Sequence, residues 1–121
     1  MAFYFGDNSD IIVGSLFEEL APAGMHITTT HPEEMSLKDL GRTLVVCRLV
    51  FKEAKARKLD RAIILTILEY HDLVFELYCQ GNPKFVQRLR KGYHHYLGEM
   101  SRPNQRKYWR LAGLPTGDSA S

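Results

Sequence analysis

Apolar side chains recur along most of the chain at spacings of three and four residues, the period of an α-helix that buries one face. This pattern predicts a first helix over residues 10–20, capped by an Asn or Ser just before it. The segment 22–31 contains three consecutive threonines and favours an irregular, extended path. A second helix follows and reaches about Lys58, with two candidate starts: a capping box around Pro32, or the serine at Ser36.

Three further helices are predicted in the second half of the chain. Residues 61–80 form a helix that is apolar over most of its circumference, and Asp60 is placed to cap it. Gly81-Asn82-Pro83 is the clearest break, because glycine ends helices and proline is tolerated in a first turn. An amphipathic helix over 83–100 and a short one over 101–111 complete the series.

The predicted fold is a compact all-α bundle of four to five helices. A chain of 121 residues with 45% hydrophobic and 25% charged side chains fits one domain, residues 1–112, followed by a flexible tail, 113–121. The third helix needs cover on several sides, and a chain this short offers little, so we expect a homodimer. The expected dimer interface comprises apolar residues outside the best stripes of helices two and three: Val46, Leu49, Val50, Leu65, Leu68 and Phe75.

Charge is distributed unevenly along the chain although the net charge is only +2. The first forty residues carry seven acidic side chains against one lysine, whereas residues 81–121 carry eight basic side chains against two acidic ones. The basic end has three candidate counterparts: an acidic protein, phosphates, or the acidic front of the same or another copy. The expected partner-binding residues are Lys84, Arg88, Arg90, Lys91, His94, His95, Arg106 and Arg110.

Two classes of partner fit this basic end. Aromatic residues interleave with the cations, as stacking platforms for nucleic acid would, but their spacing places most of them on the buried face. Tyr108 and Trp109 in particular are expected to fold back from the last helix onto the fourth helix. A helix-turn-helix alignment fails, because Leu77 occupies its small position and Gln87 its buried one. We therefore expect a regulatory or adaptor module that binds a protein, with DNA or RNA binding as the alternative.

Titratable residues in the third helix have plain structural interpretations. His71 lies on the apolar side and is expected to be a core histidine with one hydrogen bond. Glu69, Asp72 and Glu76 lie on the polar line, where we expect them to pair with arginines or stay hydrated. No histidine at the spacing of a helical di-metal site accompanies them, so no metal or other cofactor is expected.

No enzyme signature is found in the sequence. Phosphate-binding glycine loops, the nucleophile elbow, the zinc-protease motif and paired C-x-x-C units are all missing, and we expect no catalytic activity. Cys47 and Cys79 fall in helix interiors and are expected to be small buried hydrophobes. The N-terminal residues lack the features of a signal peptide, and no apolar run is long enough to span a bilayer. A cytoplasmic location is therefore expected, and the residues resemble no family specifically enough to name one.

Overall fold

The structure is a computed structural model that describes residues 6–25, 31–97 and 105–113, with side chains for 13–25, 31–91 and 106–113. This described part is entirely helical and has no strand, which confirms the predicted compact all-α bundle of four to five helices. The helices are α1 (Gly6–Leu20), α2 (Leu37–Ala56), α3 (Arg61–Gly81), α4 (Pro83–Leu97) and α5 (Gln105–Leu111).

The start of α2 shows how the two candidate caps are used. Ser36 accepts a hydrogen bond from the backbone N–H of Asp39 (3.2 Å) and is the N-cap of the long helix. The earlier start at Pro32 yields only a 3₁₀ turn, Pro32–Glu34, and the His31 side chain before it caps no amide. The threonine segment 26–30 lies outside the described residues.

The predicted cap of α1 is wrong, and that of α3 is confirmed in position only. α1 begins at Gly6, so Asn8 and Ser9 lie inside the helix and not at its N-terminus. Asp60 occupies the N-cap position of α3, but its side chain makes no capping hydrogen bond. Intrinsic capping preference is a weak signal, and packing of the apolar face decides where these helices begin.

The turn between α2 and α3 is tight and uses an unusual residue. Lys58 has a left-handed backbone conformation (φ 56°), the position at which a helix end usually carries glycine. The Leu59 N–H donates to the Ala54 carbonyl (3.1 Å) and the Lys58 N–H to Lys55 (3.0 Å), the two bonds of a Schellman motif. This motif reverses the chain and sets α3 antiparallel against α2.

The core lies mainly between α2 and α3, with α1 packed across them. The two helices approach closely at Gly41 of α2, where an added Cβ atom would lie 3.1 Å from the Tyr78 ring of α3. Helix periodicity predicted most of this core, whereas it assigned Val46, Val50 and Phe75 to a dimer interface. The fully or nearly fully buried members of the core are Val13, Phe17, Leu20, Leu40, Leu44, Val46, Cys47, Val50, Phe51, Ala54, Ile67, Tyr70, Val74 and Phe75.

α4 begins immediately after α3. Asn82 accepts a hydrogen bond from the backbone N–H of Phe85 (3.1 Å), as expected for its N-cap. Phe85 and Leu89 are buried and anchor the helix, and the Phe85 ring lies edge-on to Tyr78 (centroids 4.8 Å apart). The predicted extension of this helix to Met100 falls on residues 98–100, which the structure does not describe.

α5 packs on α3 through one fully buried ring. Tyr108 is 0% exposed and Trp109 is half-buried and packs against the core, so both rings turn inward to different degrees. Among the described residues, the ring contacts of Tyr108 are with α3 and not with α4, where they were predicted. Ala112 is buried just after the helix, and Gly113 follows with a left-handed backbone (φ 77°). The predicted start of this helix at 101–104 and most of the predicted tail, 114–121, lie outside the described residues.

Candidate functional site

The basic face of α4 is the most extensive charged surface that sequence analysis singled out. At about 100° per residue, the exposed side chains lie opposite the two buried anchors, Phe85 and Leu89. They line an open depression of ≈ 590 Å³. We call this group the α4 surface; it consists of Lys84, Gln87, Arg88, Arg90 and Lys91.

No carboxylate is built into this helix. Residues 83–97 contain four lysine or arginine side chains, two histidines and neither Asp nor Glu. The field over the α4 surface is therefore positive, and its rigid anchoring holds the cations at fixed spacing on one helix. The arrangement suits recognition of negative charge.

The remaining predicted partner-binding residues are not gathered into this depression. Arg106 and Arg110 are exposed on α5, and none of the described residues of α5 lines the depression on α4. The side chains of His94 and His95 lie outside the described residues. The structure thus places the four cations of α4 together and leaves the two of α5 on a separate element.

Half of the residues predicted for a dimer interface are buried within a single chain. Val46, Val50 and Phe75 are 0% exposed and belong to the core cluster of one chain. Helix periodicity marks such positions as apolar but does not reveal how many neighbours a helix acquires in its own chain. Leu49 and Leu68 are half-buried, and only Leu65 is well exposed, at 43%.

A buried polar cluster between α3 and α5 was not anticipated. Asp72 is 1% exposed and forms an ion pair with Lys107 of α5. It is therefore paired with a cation, though with a lysine where an arginine was predicted, and it does not lie on a hydrated edge. His71 is buried as expected, yet neither ring nitrogen has a hydrogen bond, and its Nδ1 lies 3.5 Å from Oδ1 of Asp72. The Tyr108 ring closes over His71 edge-on, with centroids 5.3 Å apart. His71, Asp72, Lys107 and Tyr108 are called the polar cluster below.

Electrostatics within the cluster follow from its burial. Loss of hydration lowers the pKa of His71; the carboxylate of Asp72 opposes this shift, and the repulsion of Arg48 and Lys107 adds to it, so that the net direction is downward and the ring is neutral near neutral pH. Burial by itself would raise the pKa of Asp72, but the adjacent His71 ring and the ion pair with Lys107 outweigh it and the pKa is lowered. The cluster therefore holds one carboxylate, one ammonium and one neutral imidazole.

Asp72 was misassigned because it lies at the border of two helix faces. Its position is about 100° from His71 and close to the direction of Phe75 and Cys79, which α5 covers. To find the cluster from the sequence, one would have to pair Asp72 of the third helix with Lys107, the residue next to Tyr108. That pairing spans 35 positions (72 to 107), beyond the reach of any local pattern.

A cleft of ≈ 600 Å³ lies between the C-terminal part of α3 and α5. Lys107 and Arg110 lie on one wall and Glu76 on the other, with Cys79 at its base. Burial raises the pKa of the Cys79 thiol to about 12, and burial also raises the pKa of Cys47, so neither is poised as a thiolate nucleophile. Both cysteines are free and buried, as predicted.

Comparison with protein-family models, with curated proteins and with solved structures finds no match to this chain. Within the described residues, no group of three or more His, Cys, Asp or Glu side chains is arranged to hold a metal ion. None of the described helices has the length and apolar character needed to cross a membrane. Functional inference therefore depends on the α4 surface and the polar cluster themselves.

Proposed function

We propose that the chain is a non-enzymatic regulatory or adaptor module that binds an acidic protein partner through the α4 surface. The observation that carries this proposal is the depression lined by Lys84, Gln87, Arg88, Arg90 and Lys91, on a helix without acidic residues. Such a surface accelerates encounter with a negatively charged partner and orients it.

The fate of the aromatic residues favours a protein over a nucleic acid. Base stacking requires exposed rings beside the cations. The Phe85 and Tyr108 rings are instead in the core, where they pack on Phe75 (centroids 6.1 and 5.2 Å away). Among the described residues the cations of α4 thus have charge but no stacking platform.

Charge reversal on α4 with a matched control tests the proposal. Lys84→Glu with Lys91→Glu places two negative charges on the α4 surface, while Lys38→Glu with Lys52→Glu makes the same change on exposed positions of α2. Both doubles should fold with stability within about 1 kcal/mol of the parent, because exposed charges contribute little. Affinity capture from native lysate, with and without nuclease, is then quantified by mass spectrometry for all three proteins.

If the proposal is correct, the parent captures protein partners that resist nuclease. The double variant on α4 loses these partners and the double variant on α2 retains them, and the association rate falls as the salt concentration rises. Identical capture by the α4 double and the parent would refute it. If only nuclease-sensitive species are lost, and binding to duplex DNA or RNA falls steeply with salt, the α4 surface binds nucleic acid instead.

We further propose that the module acts as a homodimer through what is left of the predicted apolar surface. Leu65 is exposed, and Leu49 and Leu68 are half-buried. Burial of this surface would contribute about 25 cal/mol per Å². Light scattering at micromolar concentration should return twice 13.9 kDa, and Leu65→Glu should return the monomer mass; a parent mass of one chain contradicts the proposal.

A further inference from the structure

The polar cluster occupies an unusual place for ionisable groups. His71 and Asp72 are the only histidine and the only charged residue that are buried among the described side chains. Both ring nitrogens of His71 are without hydrogen bonds, although buried polar atoms are normally paired. None of the residues that form the α4 surface belongs to this cluster. We therefore consider which helix the cluster holds in place.

The cluster is the contact through which α3 holds α5. α5 has seven residues, too few for a helix to persist in water without tertiary contacts. Its docking contacts include the Lys107 ion pair to Asp72 and the Tyr108 ring, which packs on His71 and on Phe75. A change in the charge of the cluster is therefore a change at the surface that holds α5.

We propose that the polar cluster is a proton-sensitive latch, in which protonation of His71 releases α5 from α3. The released state is a local opening of α5, with α2 and α3 still packed. Tyr108 and the Trp109 side of α5 would then become accessible, as a surface that acidification reveals.

Charge balance around His71 gives the reason. With α5 docked, Lys107 already neutralises Asp72, and a protonated His71 would add a second cation where water is excluded. Arg48 of α2 adds repulsion, while the other titratable groups around the cluster, the Cys47 thiol and the Tyr70 and Tyr108 hydroxyls, supply no negative charge near neutral pH. Release of α5 removes Lys107, admits water, and leaves His71 beside Asp72 as its sole strong counterion.

The direction of the pH effect follows from the same geometry. Burial lowers the pKa of His71 in the docked state, while an exposed histidine has the ordinary value of 6.5. The released state therefore binds the proton more tightly, and acidification below about 6.5 shifts the equilibrium towards it. Asp72 stays ionised throughout this range because its own pKa is lowered.

Hydrogen exchange resolved by segment tests the latch. Between pH 7.5 and 5.5, protection factors of the α5 amides should fall, by at most about tenfold for each pH unit below the ordinary histidine pKa. Those of α2 and of the first half of α3 should change much less. Trp109 is the one tryptophan in the chain, so its emission should shift to the red over the same range as α5 leaves the core.

Two variants and one control separate the latch from general acid sensitivity. His71→Phe keeps a ring against Tyr108 and Phe75 without a titratable group, and should abolish the pH dependence of α5 protection. Lys107→Met should lower α5 protection already at pH 7.5. His31→Gln removes a half-buried histidine far from the cluster and should leave the pH profile of the parent unchanged.

Three results would overturn the proposal. The first is an unchanged pH profile in His71→Phe, and the second is α5 protection that is equal at both pH values in the parent. The third is parallel loss of protection in α2, α3 and α5, which means global unfolding and no separate latch. If His71→Phe does not fold, the parent and Lys107→Met still decide, because the latch requires segment-specific loss in both.

Discussion

α3 packs against two partners in very different ways. Towards α2 it presents apolar side chains such as Ile67 and Val74, which interlock with the buried stripe of α2. Towards α5 it presents a carboxylate and an imidazole, and receives a lysine and a tyrosine in return. The first interface depends on area and shape and is nearly insensitive to pH, whereas the second depends on which of its groups carry charge. We call the contact of α3 with α2 the permanent interface and its contact with α5 the conditional interface.

The largest expected effect is on the permanent interface. Ile67→Ala removes a side chain that is 1% exposed and should lower the free energy of unfolding by about 3 kcal/mol, since it loses apolar burial and leaves a cavity. Urea denaturation followed by circular dichroism measures this loss. Val45→Ala, on the exposed side of α2, is the control and should cost under about 1 kcal/mol; equal losses would mean that the interface between α2 and α3 is no better covered than their outer surface.

The conditional interface should be weaker and more local. Asp72→Asn removes the carboxylate that Lys107 approaches, and we expect a loss of about 2 kcal/mol. Lys107 is 42% exposed and can return to water, which keeps the cost below that of a fully buried pair. Exchange of the α5 amides should accelerate more than exchange in α2. Glu69→Gln, an exposed charge change on the same helix, should do neither, and a similar response from both variants would contradict the assignment of Asp72.

The smallest change in stability is expected at the turn that joins α2 to α3, which should affect the permanent interface and not the conditional one. Lys58 holds a left-handed backbone conformation that costs an L residue about 1 kcal/mol relative to glycine. Lys58→Gly should therefore stabilise the chain by up to about 1 kcal/mol without affecting α5, as thermal unfolding can show. Lys55→Gly, inside the helix, should instead destabilise it by a similar amount. A loss in both variants would place Lys58 outside the Schellman geometry.

The permanent interface was predictable from the sequence because its signal is local. Spacings of three and four residues define the α2 stripe and the apolar girdle of α3 without knowledge of their neighbours. The start of α4 at Asn82 was predictable for the same reason, because this residue caps the N–H of Phe85, only three positions away. The sequence did not show that some of these apolar residues are covered within one chain. Phe75, which was predicted to contact a second copy, packs on Phe85 and Tyr108 of its own chain.

The conditional interface was not predictable because its signal is not local. Asp72 occupies the same polar line as Glu69 and Glu76 in the sequence, and only the position of α5 distinguishes them. The neutral state of His71 likewise depends on exclusion of water by Tyr108. The α4 surface was predictable in part. Its positive charges follow directly from the sequence, whereas residue spacing does not indicate which partner they bind.

Gly41 gives the α4 surface a mechanical dependence on a helix that it does not belong to. The missing side chain leaves room for the Tyr78 ring against α2, and the same ring lies edge-on to Phe85, the anchor of α4. A methyl group at position 41 would lie 3.1 Å from Tyr78, so the ring would have to shift. Tyr78 connects α2 with the anchor of α4, and a substitution at position 41 should therefore alter the tilt of the cationic helix without changing any of its charges.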